Sequence, residues 1–235
     1  MKQTRPLQSL ILISTPWPLY SRPSIQLGTL QAYLKSQVPD LKVQTHHFYL
    51  KLAETIGYPL YQTISERTWL SETIYAALLF PERLKQIEKM YHKEAVGQPE
   101  ARSMDFTTLI RRVREVSDAF INGIDWTAFG LAGFSICFCQ LTSTLYFIKH
   151  IKQRCADLPI VVGGSMFTGE SIQNLFEMFP EVDFVINCEG ELPLTQLVYF
   201  LKNSPPHKSI PVIPGICTAE TEKNNTPMAD RKSVV

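Results

Sequence analysis

From residue 126 onward the sequence repeats one pattern: a short, unbroken apolar run, then a segment of helical length with one apolar side. Residues 128–136, 159–162 and 182–186 are the apolar runs; residues 141–154, 171–178 and 192–203 are the helical segments. Unbroken rather than alternating hydrophobicity marks strands covered on both faces, as in a parallel sheet. Parallel neighbours need a crossover of about a dozen residues, and a helix is the usual one. The amino-terminal part continues the pattern. Residues 9–14 are another apolar run, Ser24 can cap a helix with Ile25, Leu27, Leu30 and Leu34 on its apolar side, and residues 41–48 read as a second strand.

Between about 50 and 124 the chain reads as helical. Phe106, Leu109, Ile110, Val113, Val116, Phe120 and Ile121 recur at helical spacing until Asn122-Gly123 stops them, and Lys85, Lys89 and Lys93 form a basic stripe typical of a solvated helix face. The expected fold class is therefore α/β, a doubly wound parallel sheet with a helical insertion between its second and third strands. The 235 residues suit one generous domain, expected over 1–217, followed by a polar tail at 218–235 without periodicity.

Several function classes drop out on composition. Twenty-three basic against 22 acidic residues leave a net charge of +1 and no basic arm, so binding to nucleic acid or an anionic membrane through bulk charge is not expected. Five cysteines, none in a CxxC pair, suit neither a disulfide framework nor a zinc ribbon. Residues 126–148 carry no charge and are long enough to cross a bilayer, but Ser135, Gln140, Thr142, Ser143 and Thr144 sit mid-stretch, where polar groups are costly. A buried strand running into a helix is the expectation, in a cytoplasmic chain.

Ligands of open parallel sheets bind beyond the carboxyl ends of the strands, near the reversal of strand order. Four segments should reach that edge: 15–24, 135–140, 163–166 and 187–191. Gly163-Gly164 let the backbone approach a ligand closely or serve a turn needing positive φ; both readings stand. No GxGxxG follows the first strand, which argues against a nicotinamide dehydrogenase. Cys137 and Cys139, two apart, would point the same way on a strand and read as buried structural thiols rather than a soft metal site. His46 and His47 lack a carboxylate pattern beside them. Glu189 and Glu191 could serve as acid or base, or cap the next helix. No acid–base or nucleophilic constellation, and so no catalytic residue, is legible.

The string Pro16-Trp17, then Ser21-Arg22-Pro23-Ser24-Ile25-Gln26-Leu27-Gly28, resembles the opening of cobalamin-binding radical SAM proteins, most closely the group called RiPP maturation radical SAM protein 1. The resemblance continues through Leu60-Tyr61, Trp69-Leu70, Ala76 to Phe80, Gly133-Phe134-Ser135 with Gln140, Val161-Val162-Gly163-Gly164, Val182 to Val185 and Glu189-Gly190-Glu191, ending near Ile213-Pro214-Gly215. It implies a Rossmann-like domain that holds cobalamin at the sheet edge with its nucleotide tail along the strands. Carried over by position, Ser135 and Gln140 would line the tail pocket, with Gly163, Gly164 and Ser165 passing close to it. Trp17, Arg22 and Ser24 on one side, and Glu189, Gly190 and Glu191 on the other, would border the corrin ring.

Two departures shape the expectation. The DxHxxG motif of methionine-synthase-like proteins is absent, which implies base-off cobalamin without a protein histidine, and Cys188 stands where the group often has glycine. The group continues into a barrel whose CxxxCxxC thiolates hold a four-iron four-sulfur cluster with S-adenosylmethionine; no such spacing occurs here, and the sequence stops about where the linker to that barrel would begin. The resemblance thus implies a cobalamin module that works with a separate radical SAM barrel chain on a ribosomal precursor peptide. The rival expectation is a degenerate Rossmann-like domain that binds no cofactor and serves protein interaction.

Overall fold

The computed structural model describes residues 7–167, 169–203 and 211–223. The chain runs β1 (Ser9–Ser14), α1 (Ile25–Gln37) and β2 (Lys42–His47), then through the helices α2 (Phe48–Ile56), α3 (Tyr58–Ser65), α4 (Thr68–Leu79), α5 (Leu84–Glu94) and α6 (Phe106–Asn122). Strand and helix then alternate: β3 (Leu131–Ser135), α7 (Leu141–Arg154), β4 (Ile160–Gly163), α8 (Glu170–Met178), β5 (Phe184–Ile186), α9 (Glu191–Asn203), β6 (Ile216–Cys217) and α10 (Ala219–Lys223). The sheet order is β2-β1-β3-β4-β5-β6, parallel except for β6. This is the doubly wound, Rossmann-like α/β fold with its helical insertion between β2 and β3.

Side chains alternate across each strand and build two cores. Ile11, Ile13, Ala132, Phe134, Ile160, Val162 and Val185 face the core shared with α2 to α8. Leu10, Leu12, Leu131, Val161, Phe184 and Ile186 face a smaller core completed by Leu27 and Leu34 of α1 and Leu194, Leu197 and Val198 of α9. The insertion is thus a second layer on one face of the sheet. Aromatic rings knit it together: Phe48 meets Phe147 at 4.9 Å, Tyr75 meets Tyr146 at 5.5 Å, and Tyr91 meets Phe106 at 4.6 Å between ring centroids.

The third strand starts later than its apolar run. Residues 126–128 form a 3₁₀ turn because Asp125 accepts from Thr127 N (3.1 Å) and Thr127 Oγ1 (2.6 Å), while the Trp126 indole donates to Ile121 O (2.8 Å). Cys137 and Cys139 fall past the end of β3, in the loop, and Cys139 has φ +71°. The expectation that both sit on a strand is corrected: Ile136 N bonds Gly163 O as the ladder ends, and the chain turns away. Two-residue β6 and short α10, the latter inside the segment read as a tail, carry too little periodicity to be legible; residues 224–235 of that tail lie outside the described residues. Among the described residues no helix is long and apolar enough to cross a membrane.

Burial lowers the pKa of three histidines. His46 ends β2 edge-on to Phe120 (5.5 Å), its pKa lowered first by desolvation and then by His47; His47 is lowered by desolvation. His150 stacks on Tyr146 (4.2 Å) and is lowered by desolvation against an opposing pull from Asp118. In the unfolded chain each takes a proton near pH 6.5. Because the folded pKa values lie lower, stability is complete above about pH 6.5 and falls as pH drops from there toward them. The urea midpoint should therefore be lower at pH 5.5 than at pH 7.5, and the combined H46Q, H47Q and H150Q variant should flatten that dependence. An unchanged midpoint in the wild-type chain would refute the assignment.

Candidate functional site

The chain leaves β1 toward β2 on one side and returns to β3 on the other, so strand order reverses between β1 and β3. The loops after these strands part there, and the carboxyl edge is open for a ligand. A slot of about 400 Å³ starts at this edge and runs down the sheet face between α1 and α9. Leu12, Gly133, Val161 and Ile186 form its floor, Leu27, Leu30 and Leu194 its sides, and Gln26, Ser135, Gly163, Gly164, Glu189 and Glu191 its mouth. The interior is apolar and the rim polar, the usual build of a small-molecule site.

Two local features create the slot. Gly133 sits in mid-strand, where a Cβ would lie 2.7 Å from Leu12 Cδ2 and 3.4 Å from Val161 Cγ1; any side chain there would raise the floor. The covering helices are hydrogen-bonded together at their far ends, where Tyr199 Oη donates to Gln37 O (2.5 Å) and Lys202 Nζ pairs with Asp40 just past α1 (2.5 Å). That hydrogen bond to Lys202 also pulls the Asp40 pKa below its ordinary value. Toward the carboxyl edge α1 and α9 frame the slot instead of packing it shut.

A buried polar seam joins the two loops at the strand-order reversal. Gln140, 2% exposed, donates through Nε2 to Thr15 O (2.7 Å) and accepts at Oε1 from Cys137 N (3.0 Å). Thr15 Oγ1 and Thr144 Oγ1 share a hydrogen bond (2.7 Å), and the Ser143 hydroxyl donates to Pro16 O. The start of α7 is not open to an anion: the Glu72 carboxylate from α4 accepts from Leu141 N (3.0 Å) and Thr142 N (2.8 Å). A carboxylate at this position satisfies orphan amides and matches the helix dipole.

The structure divides the expected site residues into groups. Ser135, Gly163, Gly164, Glu189, Gly190 and Glu191 line the slot, and so does Cys188. Arg22, Ser24, Ser135 and Gln140 line a second, adjoining pocket of about 200 Å³. Ser24 also caps α1, accepting from Leu27 N (3.4 Å). Ser165 is exposed and lines neither.

Three expectations change in detail. Trp17 is 2% exposed and packs in the helical-layer core against Tyr61 (5.1 Å) and Tyr75 (6.3 Å), away from both pockets. Gln140 borders its pocket, but both ends of its amide are engaged by protein backbone. Gly164, at φ +128°, serves the turn: a Cβ there would overlap the Ile136 carbonyl oxygen. Gln26, Leu30 and Gly133 also line the slot, though the sequence gives them no site role; the one local signal is a glycine, Gly133, inside an apolar strand run.

Cys137 is half-buried, with its thiol pKa pushed up by burial, and Cys139 Sγ lies 3.6 Å from Thr68 Oγ1. Among the described residues no group of three His, Cys, Asp or Glu side chains could hold a metal ion. Compared with protein-family models and with curated proteins, the chain matches none.

Two outcomes test this geometry. Gln140→Ala leaves a buried carbonyl and amide without partners, so it should cost about 1–3 kcal/mol of stability, read as a lower urea midpoint at unchanged slope. A midpoint equal to wild type would mean the loops hold without the tie. Gly164→Ala should destabilise more than Gly163→Ala, by roughly 1–3 kcal/mol for the strained backbone alone, because a Cβ at Gly163 comes no closer than 3.3 Å to Ile186 Cβ and 3.6 Å to Ile186 O. Equal melting temperatures for the two variants would overturn this reading of the pair.

Proposed function

We propose that this chain is the cobalamin-binding module of a cobalamin-dependent radical SAM system, of the kind that matures ribosomal peptides. One observation carries the reading: the slot runs along the strand face instead of ending in the loops. An end-on ligand needs only the loops at the carboxyl edge. A cofactor with a slender tail needs an apolar channel beside the sheet, and Gly133 supplies the depth for one between Leu12 and Val161.

The residues fit such a group. Leu27, Leu30 and Leu194 offer apolar walls to a flat, uncharged ring at the end of the tail, while Ser135 and Gln26 offer hydrogen bonds where the tail emerges. Among the described residues no histidine lines either pocket, and His46 and His47 lie at the end of β2; this reading takes the cofactor as base-off, without a protein ligand. When bound, cobalamin supplies a cobalt centre able to carry a methyl group. In this reading the chain's own part is to bind and orient the cofactor and to exclude water from its tail. The iron–sulfur cluster and S-adenosylmethionine belong, in this reading, to a barrel beyond these residues.

Incubation with hydroxocobalamin, gel filtration and absorption spectroscopy test the proposal. The protein fraction should carry stoichiometric corrinoid with a base-off spectrum, unchanged in the H46Q, H47Q variant. Leu30→Trp, which fills the slot from α1, should weaken binding at least tenfold while circular dichroism stays native. Corrinoid that elutes entirely free, or binding indifferent to Leu30→Trp, would sink the reading.

A further inference from the structure

The second pocket carries a chemistry that the slot lacks. It lies between the loops after β1 and β3, and Gln26 and Ser135 line it and the slot alike. Its lining contains one cation, Arg22, and no carboxylate; Glu189 and Glu191 belong to the slot. Arg22 is exposed, and among the described residues it forms no ion pair. Its main chain is fixed, because Tyr49 Oη donates to Arg22 O (3.1 Å).

The neighbouring donors are equally uncommitted. The Ser135 hydroxyl has no hydrogen-bond partner among the described residues. Gln26 Nε2 reaches only Cys137 Sγ at 3.6 Å, a weak acceptor that an oxygen would displace. A pocket with an unpaired guanidinium, a free hydroxyl and an amide nitrogen without an oxygen partner, and with no negative charge, suits an anionic group; the Gln26 amide oxygen accepts from Ser24 Oγ (3.2 Å).

We propose that this pocket is an oxyanion subsite that binds a phosphate or carboxylate group, with Arg22 supplying the charge and Ser135 and Gln26 the flanking hydrogen bonds. A guanidinium meets such an oxyanion through two parallel N–H bonds, stronger than neutral ones. The inference does not depend on the cobalamin reading. The anion is either a free small molecule or the anionic group of a larger ligand that also fills the slot, and the chemistry of recognition is the same.

Inorganic phosphate is the probe, added to the full chain at constant ionic strength and followed by ³¹P line broadening. Saturable broadening with a dissociation constant on the order of 1 mM is expected. Arg22→Gln should weaken it roughly tenfold or more, Arg22→Lys should restore part, and Ser135→Ala should weaken it about threefold, in line with a single neutral hydrogen bond. Arg111→Gln, on α6 and paired with Glu115 (3.0 Å), should change nothing. Broadening that does not saturate, or that persists unaltered in Arg22→Gln, overturns the proposal. Repeating the titration with hydroxocobalamin present separates the sources: competition assigns the anion to the slot's own ligand, and unchanged affinity assigns it to a separate small molecule. Corrinoid binding without phosphate binding would remove this subsite and leave the cobalamin reading standing.

Discussion

The buried polar seam at the strand-order reversal is what the rest of the carboxyl edge depends on. Thr15, Gln140, Ser143 and Thr144 are all buried, and each has a hydrogen-bond partner across the gap between the β1 loop and the start of α7. In a low-dielectric interior such a network is stiff when fully satisfied and costly when any member is lost. It fixes where the two loops stand relative to the sheet, so it fixes the walls of the second pocket and the upper rim of the slot. Glu72 extends the same constraint to the insertion, since its carboxylate holds the first turn of α7 from α4.

The unequal coverage of the sheet follows from the topology and explains where free volume remains. The face toward α2 to α8 is packed with aromatic rings. Among the described residues the helices on the opposite face are α1 and α9, bonded to one another at their carboxyl ends. Apolar floor residues and a strand glycine beneath framing helices make a slot there. Exposed apolar side chains lie at this edge as well: Ile25 of α1 (77% exposed) beside the slot and Phe138 of the β3 loop (68%) beside the second pocket. Ile25 thus belongs to the edge rather than to the helix's buried side, where its sequence period had placed it.

Much of the expected site was legible because position after a parallel strand determines which edge a residue reaches. Ser135, Gly163, Gly164 and Glu189 to Glu191 arrive at the carboxyl edge as the strand–helix alternation requires. Chemistry at that edge was less legible. Trp17 and Arg22 lie five residues apart in one loop, yet the first is swallowed by the core against Tyr61 and the second lines a pocket. Nothing in the local sequence separates these fates, because the partner ring comes from a helix more than forty residues away. Gln140 was readable as a polar residue at the right edge, but its two backbone bonds come from different loops that only the fold brings together.

The sequence by itself determined the class of fold, the place of the insertion and the edge at which a ligand would sit. Unbroken apolar runs separated by helix-length segments permit few arrangements, since buried strands must be covered and parallel strands need crossovers. Tertiary structure alone decided the rest: that α1 and α9 frame an open slot, that Gly133 rather than Gly164 gives that slot its depth, and that Gln140 braces two loops. The physical reason is that each of these depends on contacts between segments far apart in the chain, and local periodicity records only which side of an element is apolar, not what meets it.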